Sequence, residues 1–234
     1  MSALVSLFYL YDPWFLHFIR MGLITGSIAL LFLAYKWWNK SQKSVIIPKD
    51  SLIACIALLI ISTIPLIING TKEMGVLSMY VKSLFVFILG IAIYNLFYQH
   101  ENGKPQLIRD LKMGIGVQAF IGFFALVGVP FIIDLATNTN SNMGGHFARF
   151  IGSEQEYRLY NLTSAAFFPL SVFYVLLLHF MLAYHARTQA LNPIWLFLLL
   201  CIGLIAGRLF LTFSLVSCLL YFRWRYLPAL LAFI

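Results

Sequence analysis

Apolar residues in this chain come in long unbroken runs, and polar residues gather in short clusters between them. Runs at about 21–38, 51–69, 75–98, 113–133 and 162–184 approach or reach the ~20 residues that a helix needs to cross a hydrocarbon core. They are apolar all round, so no amphipathic period singles out a face, and each is predicted to be a transmembrane helix. Residues 3–19 are apolar but broken at Asp12-Pro13, which leaves a short first span or an interfacial segment. The last run, 194–222, would make one straight helix of roughly 43 Å, too long for a core of about 30 Å to absorb easily by tilt. Two short segments meeting near Ala206-Gly207-Arg208 are predicted instead, 194–207 going out and 209–222 returning. The pattern thus predicts an all-α, polytopic transmembrane helical bundle of about seven spans, one transmembrane domain over residues 1–234.

Composition removes the competing classes. The chain is 62% hydrophobic and 10% charged, whereas soluble domains carry roughly 45–50% and about 25%, and no polar stretch is long enough to form a soluble domain. The net charge of +8 does not point to nucleic acid, because the basic residues sit in short loops where they set topology. One set of loops holds Lys36, Lys40, Lys43, Lys49, Lys104, Arg109, Lys112, Arg187, Arg223 and Arg225; the other holds Arg20, Lys72, Arg149 and Arg158. The richer set is expected on the cytoplasmic side. The longest loop, about 135–161, then lies outside. It mixes aromatics, glycines and both signs of charge, and is expected to be partly ordered and near the site. The N-terminus shows no basic segment ahead of its apolar residues, so no cleaved signal peptide is expected. Cys55, Cys201 and Cys218 all fall within apolar runs and read as small buried hydrophobes, not as disulfides or metal ligands.

Charge inside the apolar runs marks the candidate site. An ionised arginine at mid-membrane costs at least about 2.5 kcal/mol, so Arg208 calls for a cavity, a partner or an anionic ligand, or else must snorkel to the interface. Lys82 lies about two turns below the outer surface in this topology, a depth that its stem spans by snorkelling. That is the simpler account of it, and it joins the site only as a substrate-binding candidate. Arg149 and Arg158 belong to the outer loop and converge on the same surface as Arg208. Arginine's planar fork grips phosphate in a bidentate way, so this cluster suits a lipid-linked pyrophosphate. His146 is the one histidine of the outer loop, a base or simply an exposed side chain. His17, His100, His179 and His185 read as structural. The motifs of metalloproteases, nucleotide-binding P-loops and serine hydrolases are missing from the sequence.

"RLYNLTSAAFFPLSVFYVLLL" (158–178) begins a span with an arginine after an outer loop, and "LLLCIGLIAGRLFLTFSLVSCLLYFRWR" (198–225) carries Gly-Arg at a break between apolar runs. This layout resembles the O-antigen polymerase and O-antigen ligase superfamily of bacterial surface-polysaccharide enzymes. The resemblance implies an inner-membrane, multi-pass glycosyltransferase that polymerises undecaprenyl-pyrophosphate-linked oligosaccharide at the outer face. It implies no metal or cofactor, because the lipid pyrophosphate is already an activated leaving group. Arg208 and Arg158 would match the two arginine motifs as catalytic residues. Arg149, in "RFIG" (149–152), matches the first as well and stands with Lys82 and His146 among the substrate-binding candidates. Partners implied are the lipid-linked oligosaccharide, membrane lipid and polysaccharide-assembly proteins. Polymerases of this kind carry ten or more spans, and "RWRYLPALLAFI" reads as the opening of a further one, so the C-terminal part of the family fold is expected to be missing. A flippase or transporter of lipid-linked oligosaccharide, and a non-catalytic truncated remnant, are the alternatives.

Overall fold

The computed structural model describes residues 2–11, 27, 30–31, 33–40, 46–69, 88–141, 150–161 and 167–232. Among them the secondary structure is helical, without a strand. The helices are α1 (Ser2–Tyr11), α2 (33–40), α3 (Lys49–Asn69), α4 (Ile88–Phe97), α5 (Gly103–Leu126), α6 (Pro130–Ser141), α7 (Phe167–Thr188), α8 (Pro193–Ala206), α9 (Arg208–Leu220) and α10 (Leu227–Leu231). Single 3-10 turns stand at Glu156–Leu159 and Trp224–Tyr226. Two compact units divide the chain, one of residues 1–20 and 107–234, the other of residues 21–106.

The first unit is built on α7. Its buried residues Leu170, Tyr174, Leu177, Leu178, Met181 and Leu182 recur at three- and four-residue steps, which places them on one stripe of a helix. Helices α8 and α9 both pack against α7. They form the hairpin expected from the length of the last apolar run. Asn192 starts α8 by accepting a hydrogen bond from the Ile194 amide at 2.9 Å, and Pro193 follows in the first turn, where its missing N–H loses nothing. Gly207 ends α8 at φ 155° and ψ 164°, a backbone region open almost only to glycine. The chain returns at once as α9. The arms close tightly: a Cβ on Gly203 would stand 2.2 Å from the Phe210 ring. At the base, the buried Leu191 amide donates to the Tyr226 hydroxyl at 3.0 Å, and Arg223 Nη2 donates to the Ala186 carbonyl at 3.1 Å. Helix α9 buries Phe210, Ser214, Ser217 and Cys218 and turns Leu211, Phe213, Leu215, Val216, Leu219 and Leu220 outward.

The run at 113–133 departs from the expected single span. Helix α5 begins at Gly103, taking in Lys104, Arg109 and Lys112, and stops at Leu126; α6 then leaves at 118° to it. Gly128, at φ 92°, donates to the Ala125 carbonyl at 3.1 Å, and the Val129 amide donates to the Phe124 carbonyl at 3.0 Å. This is the glycine-closed helix end in which two orphan carbonyls are satisfied by a left-handed residue. Pro130 prevents continuation and opens α6. The expected outer loop starts as helix, since α6 runs on to Ser141.

The second unit is organised around Asn95. Its side-chain carbonyl accepts from the Ile46 amide at 2.9 Å, and its amide donates to the Ile46 and Ile91 carbonyls, each at 2.9 Å. The segment before α3 is thereby tied to α4. Helix α3, 21 residues long, leaves Ile53, Ile56, Ile60, Ile61, Ile64, Ile67 and Ile68 exposed. By length and composition, Leu170–Thr188 is the one helix among the described residues able to cross a membrane. The bent pair Gly103–Leu126 with Pro130–Thr137 adds a second if it counts as one span.

Candidate functional site at the turn between α8 and α9

The segment from Phe150 to Asn161 is a compact turn held by its own polar groups. Ser153 Oγ donates to the Phe150 carbonyl at 2.8 Å, and the Gly152 amide donates to Glu156 Oε2 at 2.7 Å. Leu159 anchors it, fully buried, and Asn161 Nδ2 donates back to the Arg158 carbonyl at 3.1 Å. The 3-10 turn at Glu156–Leu159 packs on α8 and on α6. Helix α5 meets the same place: a Cβ on Gly122 would lie 3.1 Å from Ile205 Cδ1 and 3.5 Å from the Tyr160 carbonyl oxygen.

Arg158, half-buried, leaves this turn toward the apex of the hairpin. Its guanidinium carbon stands 5.5 Å from the centroid of the Phe150 ring, and Nη1 donates to Gln155 Oε1 at 3.3 Å. Nη2 reaches within 3.7 Å of the point where a Cβ on Gly207 would be, and the Oγ of buried Ser171 lies 2.9 Å from that point. A side chain at position 207 would therefore fill the space in which Arg158 and Ser171 approach the turn. The N-terminus of α9 also opens here, with Gly207 giving it no side-chain cap. A helix N-terminus carries a partial positive charge, so backbone and guanidinium favour an anion at the same spot. Burial, and after it the Glu156 carboxylate, push the Tyr160 phenol above its usual range.

Of the predicted site residues, Arg158 and the Gly207-Arg208 step come together across fifty positions of sequence. Arg208 is the first residue of α9; its side chain lies outside the described part of the structure, as do Arg149, Lys82 and His146 altogether. Phe150, Gln155, Asn161 and Ser171 were not anticipated. Gln155 stands three positions before Arg158, a one-turn spacing visible in the sequence, whereas Ser171 carries no signal of its own there. His179 pairs edge-on with the Tyr221 ring at 5.2 Å, and His100 contacts Gln106 Oε1 at 3.1 Å, both away from this turn in the sequence.

The fold and the turn define an all-helical protein that brings an arginine to a glycine-broken pair of short apolar helices. No family model matches the chain, and comparison with curated proteins and with solved structures found no match.

Proposed function

We propose that the chain is a multi-pass protein of the bacterial inner membrane, with about seven spans, that works as an O-antigen polymerase-like glycosyltransferase. Its substrate is an undecaprenyl-pyrophosphate-linked repeat unit presented at the outer face. The observation that carries this reading is the approach of Arg158 to Gly207, the residue before Arg208. Arg158, with Arg149 as its rival, and Gly207-Arg208 are where the sequence resembles the two arginine motifs of that superfamily, and Arg158 lies beside Gly207. The exposed apolar faces of α3 and α9 support burial in lipid, since soluble monomers rarely expose contiguous apolar surface of that kind.

In this mechanism Arg158 and Arg208 hold the pyrophosphate. A hydroxyl of the acceptor repeat unit attacks the anomeric carbon. The new glycosidic C–O bond forms as the sugar–pyrophosphate C–O bond breaks, the electron pair leaves with the pyrophosphate, and the hydroxyl proton passes to water. Fixed positive groups stabilise the charge that develops on the leaving group, and removing one such donor typically slows a reaction by about 10²–10³.

The test is complementation of a strain that lacks its surface-glycan polymerase, at matched expression. Wild-type chain is expected to restore a ladder of long glycan, and Arg158→Ala or Arg208→Ala to reduce it to single repeats. Single repeats with the wild type, or an undiminished ladder with both substitutions, would overturn the reading.

A further inference from the structure

We infer that Phe150 and Gln155 are positioning residues for Arg158, fixing its guanidinium toward the Gly207 turn in advance of a pyrophosphate ligand; this rests on the function proposed above. The Phe150 ring is 8% exposed, so its face is fixed by packing. A guanidinium over such a face is attracted by the ring quadrupole and stacks on it, and at 5.5 Å from the centroid Arg158 is within range. The ring offers the guanidinium a face to lie over. Gln155 Oε1, which accepts from Nη1 at 3.3 Å, restrains its rotation. Nη2 lies 3.7 Å from the position of the missing Cβ on Gly207.

The support is itself held by hydrogen bonds. The Ser153 and Glu156 hydrogen bonds close the segment that contains both Phe150 and Gln155. A free arginine loses much rotamer freedom when it grips an anion. One held beforehand loses less, and binds more tightly for the same contacts. Neither positioning residue is charged, and neither needs to touch the ligand.

The experiment measures binding of undecaprenyl pyrophosphate to the purified protein in lipid nanodiscs. Phe150→Leu keeps an apolar side chain but removes the ring face, and is expected to raise the dissociation constant about fivefold. Phe150→Tyr, which keeps the face, is expected to bind like the wild type. Gln155→Met, at an exposed position, is expected to raise the constant about threefold. In an Arg158→Ala background neither Phe150→Leu nor Gln155→Met should have a further effect, because both act through the arginine. A purely packing role would weaken both backgrounds alike, and thermal unfolding of each variant reports on folding. Should Phe150→Leu fail to fold, the Gln155→Met cycle decides. Unchanged affinity in the single variants, or equal losses in both backgrounds, would overturn the inference and leave the functional proposal standing. A wild-type protein that does not bind this lipid, or whose binding is indifferent to Arg158→Ala, would overturn the functional proposal and the inference with it.

Discussion

At Gly207 two demands meet in one residue. Its backbone sits at φ 155° and ψ 164°, and a Cβ there would come 2.9 Å from Ser171 Oγ. Gly207→Ala is therefore expected to destabilise the protein by about 1–3 kcal/mol through the backbone alone, with the contact adding to it. Ser171→Ala should relieve the contact but not the dihedral strain, so the double variant should recover only part of the lost thermal stability. Full recovery would mean that the contact, and not the backbone, is what requires glycine. Arg158→Lys asks a different question at the same turn. Lysine keeps the charge but loses the planar fork, so complementation should yield shorter glycan chains than the wild type while exceeding Arg158→Ala. What sequence shows of this turn is what one dimension displays: an arginine in an apolar run, and a glycine beside it. Ser171 and Phe150 do not stand out, since a serine in an apolar run and a phenylalanine in a mixed loop acquire their importance only from what the fold sets opposite them.

Elements were legible where length and punctuation agreed. The break of the last run at Gly207 followed from a stretch too long for one span and a charge in its middle, and α8 and α9 lie within two residues of the expected segments. The run at 113–133 misled because its apolar composition continues across Gly128-Val129-Pro130, so hydropathy hid a turn that backbone chemistry enforces. Its helical start was hidden for the opposite reason: Lys104, Arg109 and Lys112 look like a loop by charge, yet lysine and arginine are good helix formers. The hairpin offers two tests at this scale. A Cβ on Gly203 overlaps the Phe210 ring, so Gly203→Ala should cost at least about 1–3 kcal/mol from overpacking. Combined with Phe210→Leu it should cost less than the two changes summed, since the smaller side chain vacates the contested space. At the base, Tyr226→Phe leaves the buried Leu191 amide without its acceptor, a loss of about 1–3 kcal/mol, to be read as a lower unfolding temperature.

At the scale of the first unit, the proposed function depends on which end of α7 faces which side of a membrane. Helix α7 has 22 residues and spans about 33 Å, enough for a core of about 30 Å. Helices α8 and α9, with 14 and 13 residues, reach only about 20 Å, so the apex at Gly207 sits below the level reached by α7, beside its Ser171. A recessed apex keeps the arginine partly shielded from water, where its electrostatic pull on a lipid-linked pyrophosphate is strongest. Arg187, Arg223 and Arg225 gather at the other end of these helices, the end that the positive-inside rule assigns to the cytoplasm. Single cysteines placed on a background without Cys55, Cys201 and Cys218 can test this. Ser153→Cys, on the Arg158 turn, should react with a membrane-impermeant maleimide from outside intact inner membranes. Gln189→Cys, just beyond α7 and exposed, should react only after the membrane is opened. Labelling of both from the same side would mean that α7 does not cross, and the assignment of Arg158 to the outer face, with the chemistry built on it, would fall.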